Sequence, residues 1–368
     1  MKKILFIGII CWSVLACKTV PLKYIPSTNT VFSVDGRTLR NTKGGIELIS
    51  SGALVEFQFS GDSCVIALDN VAGKGDYNFV SIELDGAYQG RLKIIDSQPN
   101  SFTIRTKKTQ DWHSLRIYKA TEAANGIIGF YGANAKDIKK LPSTAKLRIE
   151  FIGNSITCGM GNDTQEIPCG TNKWYDQHNA YWSYATLVAR AMNAHFTLSS
   201  VSGSGIYRNW NSDGPTVPQV YESAYLQNDS TKRWNFKTFT PDIVSIALGT
   251  NDLSAGDGKK QRLPFEEKLF VDTYVKFIKN IASHYPNAQI VLITSPMVTG
   301  ERGKILSACL RKVQSITLEE KITNKTVKVF EFTPIKATGC GGHPIKAEHE
   351  QMANQLLPFI EEVGNGLK

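Results

Sequence analysis

The chain has 368 residues, 42% of them hydrophobic and 20% charged. That is globular composition, which excludes a disordered, collagenous or low-complexity chain, and the length allows two domains. Lys+Arg 42 against Asp+Glu 33 leave a net charge of +9, but the basic residues are spread along the chain. Nucleic-acid binders cluster theirs, so no nucleic-acid partner is expected.

Met1-Lys2-Lys3 is a basic start, and Ile4 to Leu15 follows without a charge. That run is too short to span a bilayer as a helix and reads as the core of a signal peptide, residues 1–16. Val14-Leu15-Ala16-Cys17 resembles a bacterial lipobox, which implies cleavage before Cys17 and lipid on its sulfur. An ordinary secretory signal is the alternative. Either implies export, and the lipobox implies an anchor in the periplasm or at the cell surface of a bacterium. Residues 17–30, with Pro21 and Pro26, read as a tether. Removing residues 1–16 takes Lys2 and Lys3, lowers the charge to +7, and leaves Cys64, Cys158, Cys169, Cys309 and Cys340 unlipidated. Cys158–Cys169 and Cys309–Cys340 are the candidate disulfides, with one thiol left free. Cys340-Gly-Gly-His343 has ligand-like spacing but lacks a matching second half-site, so no metal is expected.

Residues 31–135 read as short strands: Leu54 to Phe59, Cys64 to Leu68, Tyr77 to Leu84, Gly90 to Ile95, Ser101 to Arg105, His113 to Tyr118 and Ile127 to Tyr131. Turns such as Ser60-Gly-Asp62 and Asp85-Gly86 separate them. This pattern predicts an antiparallel β-sandwich of jelly-roll form. In residues 146–368 the period changes. Strands at Arg148–Ile152, His195–Val201, Asp242–Leu248, Gln289–Thr294 and Val327–Phe332 alternate with helices at Tyr181–Met192, Phe265–Ser283, Arg302–Ile322 and Ala347–Val363. Alternating elements predict a parallel sheet covered on both faces, with its site at the carboxyl ends of the strands.

Four polar, Gly-rich segments fall at that edge. Gly153-Asn-Ser155 follows the first strand, Ser202-Gly203-Ser-Gly205 the second, Gly249-Thr-Asn251-Asp252 the third, and Gly339-Cys-Gly-Gly-His343 the last. Together they permit acyl transfer. Ser155 is the candidate nucleophile and His343 its general base. The backbone N–H groups of Ser155 and Gly203 and the side-chain amide of Asn251 are the candidate oxyanion donors. Asp252 is expected to brace its loop.

The order Ser, Gly, Asn, His resembles the SGNH (GDSL-type) hydrolase superfamily from about Leu147 to the C-terminus, with its flavodoxin-like α/β domain. Gly153-Asn-Ser-Ile-Thr-Cys-Gly-Met-Gly161, Ser202-Gly-Ser-Gly-Ile-Tyr-Arg-Asn209 and Gly-Cys-Gly-Gly-His-Pro344 behind a β-sandwich are similar to carbohydrate esterase family 2. The resemblance implies a serine esterase, acetyl xylan esterase-like, that removes O-acetyl groups from polysaccharides such as xylan and glucomannan without a cofactor. The sequence departs from the superfamily twice. Asn154 stands where Asp is usual, and Cys340 occupies the place of the acid three residues before the histidine. Family members that lack this acid work with a Ser–His dyad, and the same is expected here.

Tyr207, Arg208, Asn209 and Trp210 are expected to rim the site and contact substrate. Trp174 and Tyr175 in the insertion after the first block are further candidates, while Trp182 is assigned to the core. His178, His195, His284 and His349 are not expected to be catalytic. Two alternatives stay open: an SGNH lipase or thioesterase, and a non-catalytic glycan-binding lipoprotein. The insertion 162–179 is polar and aromatic, unlike the apolar loops a lipase needs.

Overall fold

The computed structural model describes residues 21–71, 76–107, 110–229 and 231–367. The signal segment and the lipidation position Cys17 lie outside the described residues.

The first domain is a sandwich of two antiparallel six-stranded sheets. One runs Thr38–Arg40, Ile46–Leu48, Ile127–Ala135, Ser63–Val71, Asn100–Arg105, with Lys23–Pro26 added on Ile127–Ala135. The other runs Asp137–Lys139, Leu54–Ser60, His113–Lys119, Asn78–Leu84, Ala87–Ile94, with Ser33–Asp35 added on Leu54–Ser60. Strand Leu54–Ser60 shows why these segments are strands. Val55, Phe57 and Phe59 are fully buried between the sheets, while Glu56, Gln58 and Ser60 between them are partly exposed. Asp85 and Gly86 both have positive φ, 53° and 76°, and close the hairpin between Asn78–Leu84 and Ala87–Ile94. The tether expected at residues 17–30 needs correction. Lys23–Pro26 is a strand, because Ile25 buries its side chain and the backbone pairs with Gly132–Ala135.

The second domain carries a parallel sheet ordered His195–Ser200, Arg148–Gly153, Ile243–Ala247, Gln289–Ile293, Lys328–Phe330. Numbered by chain order this is 2-1-3-4-5, the flavodoxin-like winding, whose crevice opens between the first and third strands. Register places Gly153 opposite both Ser200 and Ala247, so three strands end at one level and release three site loops together. Helices Tyr184–Ala191 and Lys346–Asn365 cover one face; Glu267–His284 and Gly300–Glu319 cover the other. The expected long helices are present, and three short ones, Ser155–Cys158, Val217–Val220 and Thr250–Leu253, were not anticipated.

The domains are locked by buried polar contacts. Arg37 of the sandwich is fully buried, donates to Ser199 Oγ at 3.1 Å and the Ser223 carbonyl at 2.7 Å, and lies 3.8 Å from Glu150. Arg91 donates to the carbonyls of Asp176 and His178 and pairs with Glu166 at 2.8 Å.

Both expected disulfides are overturned. Cys169 bonds Cys340, 171 residues away. Cys158 is buried where the domains meet, its thiol 3.2 Å from Ser200 Oγ and 3.7 Å from Glu122 of the sandwich, and Cys309 is buried in helix Gly300–Glu319 on the opposite side of the sheet. Neither can reach a loop cysteine. The Cys340 sulfur is thereby consumed, which removes it as a metal ligand.

Candidate active site

Asn154 adopts an extended conformation after the first strand, and its side-chain oxygen accepts the Ile156 N–H at 3.1 Å. An Asp would cap the same turn in the same way. The cap starts helix Ser155–Cys158 and points Ser155, 7% exposed, at the crevice. Its Oγ lies 2.8 Å from His343 Nε2. On the other side of the ring, Nδ1 lies 3.3 Å from the Cys340 carbonyl and 3.2 Å from the Gly341 carbonyl. Carbonyls only accept, so Nδ1 carries the proton and Nε2 is left to accept the serine proton.

The histidine loop is held by the chain around it. Gly339 N–H donates to the His343 carbonyl, Cys340 N–H to Gly161 and Lys346 N–H to Asn162. A Cβ at Gly161 would lie 2.5 Å from the Cys340 carbonyl, so only glycine permits this approach. Glu348 accepts from Thr338 on one side of the loop and from Ile345 N–H on the other. The Cys169–Cys340 bond adds a covalent tie to the insertion that carries Trp174. Backbone carbonyls and a disulfide thus stand where an orienting carboxylate would.

Gly203 has φ 75°, which a side chain would strain, and its carbonyl accepts the Trp210 N–H at 2.8 Å. Asn251 donates one amide hydrogen to the Ser204 carbonyl at 2.8 Å, leaving its second for a ligand. Asp252, beside it, is buried and accepts the N–H groups of Ile206, Tyr207 and Arg208 at 3.0, 3.0 and 3.2 Å. It braces the loop as expected.

A cavity of about 530 Å³ brings Ser155, Gly203, Asn251 and His343 together. Ile156, Met160 and Met297 form apolar wall, and Trp174 and Trp210, 55% and 39% exposed, stand at its margin. Among the described residues, His343 is the one histidine lining it. His195 pairs with Asp35, His284 stacks on Phe236, His349 accepts the Tyr184 N–H, and His178 is buried with its ring against that of Trp174.

Three expected substrate contacts are corrected. Tyr207, Arg208 and Asn209 do not line this cavity; they line a neighbouring groove of about 300 Å³ that shares Trp210 and Asn211 with it. Asp252 captures the backbone of residues 206–208 and turns their side chains away. Asn209 is buried and bonds Gly205 N–H and the Gly214 carbonyl, Arg208 donates to Asp252 and Leu263 carbonyls, and Tyr207 packs on Phe265 and Phe270. Tyr175 is core, packed on Tyr77. Trp182 is half-buried, with Lys346 over its ring. Sequence reasoning missed Met160, Met297 and Arg262. Arg262 donates to the carbonyls of Trp210, Asn251 and Ser254 and so joins the aromatic wall to the Asn251 loop. It lies in a loop with no signal beyond its charge.

Burial lowers the pKa of His343 below its ordinary 6.5, and the two carbonyls only partly oppose this. A protonated ring cannot take the serine proton. Activity should therefore persist above the His343 pKa and fall as pH drops through it. A pH profile of kcat/KM for an aryl acetate is expected to show an acid limb below 6.5. A limb at or above that value contradicts the neutral buried base. Asn251→Ala is expected to lower kcat by about 10²–10³-fold with little change in KM, as loss of an oxyanion donor does. Steady-state kinetics check this; a loss below about fivefold would remove Asn251 from the oxyanion hole.

The profile of the carbohydrate esterase 2 N-terminal domain matches residues 34–144, and that of the GDSL-like lipase/acylhydrolase family matches residues 151–336. An acetylxylan esterase / glucomannan deacetylase of Cellvibrio japonicus is 28% identical over 256 residues, 68% of this chain and 69% of that protein. The cellulase/esterase CelE of Acetivibrio thermocellus is 29% identical over 335 residues; the match takes in 89% of this chain and 39% of that protein. The structure of a family two carbohydrate esterase from Clostridium thermocellum in complex with cellohexaose superposes with a TM-score of 0.79 at 26% identity, covering 92% of this chain and all of that one.

Proposed function

Because the chain belongs to the GDSL-like lipase/acylhydrolase family and carries a carbohydrate esterase 2 N-terminal domain ahead of it, we propose that it removes O-acetyl groups from plant polysaccharides or their oligosaccharides. The observation that carries this reading is the Ser155 Oγ to His343 Nε2 contact of 2.8 Å in a cavity that also presents Gly203 and Asn251. Relatives that act on acetylxylan and glucomannan, and a neighbour solved with cellohexaose, supply the substrate class.

Ser155 Oγ attacks the acetyl carbonyl while its proton passes to His343 Nε2. The oxyanion is met by the N–H groups of Ser155 and Gly203 and the free amide hydrogen of Asn251. Collapse breaks the ester bond, and His343 gives the proton to the departing sugar oxygen, which leaves as a hydroxyl. Water then attacks the acetyl-enzyme, with His343 again the base, and acetate leaves. The imidazolium formed on the way is stabilised at Nδ1 by two carbonyl dipoles rather than a carboxylate. Every step uses groups of the chain itself. Trp174 and Trp210 offer faces on which a sugar ring stacks. The lipobox supports export and an anchor at Cys17, which would hold the enzyme at a membrane surface by lipid.

The test compares acetate release from acetylated xylan and acetylated glucomannan with hydrolysis of long-chain aryl esters. This reading expects release from at least one polysaccharide and poor turnover of long chains. Preference for long chains would favour the lipase reading, and no turnover of any ester would favour a glycan-binding lipoprotein.

A further inference from the structure

The sandwich domain places one ionisable group directly behind the reaction site. Glu122, in the turn after strand His113–Lys119, is buried. One oxygen of its carboxylate, Oε2, accepts the Ser202 N–H at 2.8 Å and faces the Cys158 thiol at 3.7 Å. Ser202 immediately precedes Gly203. Cys158 ends the short helix that Ser155 begins. A single oxygen from the first domain thus touches both the loop that carries one oxyanion donor and the helix that carries the nucleophile.

The group is held in place from its own domain. Lys119, also buried, spends its ammonium on the Thr121 carbonyl at 2.9 Å, Thr121 Oγ1 at 3.3 Å and the Glu122 carbonyl at 2.8 Å. Its three hydrogens are matched by three acceptors on the turn. The Ala180 N–H donates to the Ala120 carbonyl, which ties the same turn to the second domain. The other carboxylate oxygen, Oε1, has no hydrogen-bond partner among the described residues.

A buried carboxylate with one unpartnered oxygen is a poor way to stabilise a fold. An apolar side chain of similar volume usually does at least as well. Its value lies in direction: burial raises the Glu122 pKa, the Ser202 N–H and Lys119 oppose that rise, and an ionised acceptor holds an N–H more tightly and more narrowly than a neutral one. An oxyanion hole works because its donors are fixed before charge develops. We propose that Glu122 is a positioning residue of the oxyanion hole, through which the β-sandwich domain sets the place of the Gly203 N–H relative to Ser155. The proposal rests on the esterase reading above and gives the sandwich a share in the chemistry without contact with substrate.

The test uses the whole chain and a small aryl acetate, so that glycan binding does not enter. Glu122→Gln keeps an acceptor of the same size and removes the charge; Glu122→Met removes both. Glu122→Gln is expected to lower kcat about 3–10-fold and Glu122→Met about 30–100-fold, with KM within about twofold of wild type. A general loosening of the fold would not grade in this order at constant KM. Amide hydrogen exchange in the peptide containing Ser202 and Gly203 is expected to quicken in Glu122→Gln. Wild-type kcat in Glu122→Gln overturns the proposal whether or not Glu122→Met folds, and so does a loss carried by KM. Ser155→Ala run alongside separates the two failures. If wild type does not turn over the aryl acetate, the esterase reading fails; if it does and Glu122→Gln matches it, only the positioning role fails.

Discussion

Ser155→Ala is expected to lower kcat for an aryl acetate by about 10⁴–10⁶-fold, and His343→Ala by a comparable factor, with the double variant no worse than either single one. The reason is that the two side chains act as one unit. A serine hydroxyl is a weak nucleophile until a base 2.8 Å away takes its proton. Remove either and the other has nothing to do. Gly203 and Asn251 still bind the oxyanion, so hydrolysis by water in the cavity should stay above the uncatalysed rate. His343→Ala bears on the dyad in particular. A general base other than His343 would show as substantial activity left in that variant. Losses that multiply in the double variant would contradict the coupled dyad.

Arg37→Met is expected to destabilise the protein by about 3–5 kcal/mol, the usual cost of stranding one member of a buried ion pair. Arg37 is fully buried between the domains, and Glu150, equally buried, loses its ion-pair partner. Burial already holds the Glu150 pKa above the ordinary carboxylate value, with Arg37 opposing that rise. A raised pKa means that the folded state binds the proton more tightly than the unfolded state. The penalty should therefore be largest at neutral pH and shrink as pH falls through the folded-state pKa of Glu150. Adding Glu150→Gln to Arg37→Met should recover much of the loss. Urea denaturation at two pH values measures both effects. A change below about 1 kcal/mol at neutral pH would show that the pair is not needed to join the domains.

The parts of the site that follow from strand ends were legible before the fold was known. Ile243–Ala247 lies in a nearly continuous apolar run of the kind buried inside a parallel sheet, and Arg148–Gly153 is a strand ending in Gly, so Ser155 and Asn251 emerge at the same edge. His343 follows the last strand for the same reason. The Asp85-Gly86 turn was equally plain, because only that type of pair tolerates two positive φ angles in succession. What depends on side-chain direction in loops was not legible. Tyr207, Arg208 and Asn209 adjoin the Gly203 block in sequence, but Asp252 takes the N–H groups of Ile206, Tyr207 and Arg208, and Asn209 is held by Gly205 and Gly214, so all three line the next groove instead. Cys169 and Cys340 are 171 residues apart, and they meet only because the insertion after the first block folds over the histidine loop. Glu122 lies in a turn of the other domain, and no local pattern points from it to Ser202.

The most direct measurement is acid quenching during turnover of an aryl acetate, followed by peptide mass analysis. The acetyl-enzyme account predicts one acetyl group on the peptide that contains Ser155, at Ser155 itself, and none in Ser155→Ala. An acetyl group on another residue, or acetate release by Ser155→Ala at the wild-type rate, would contradict it.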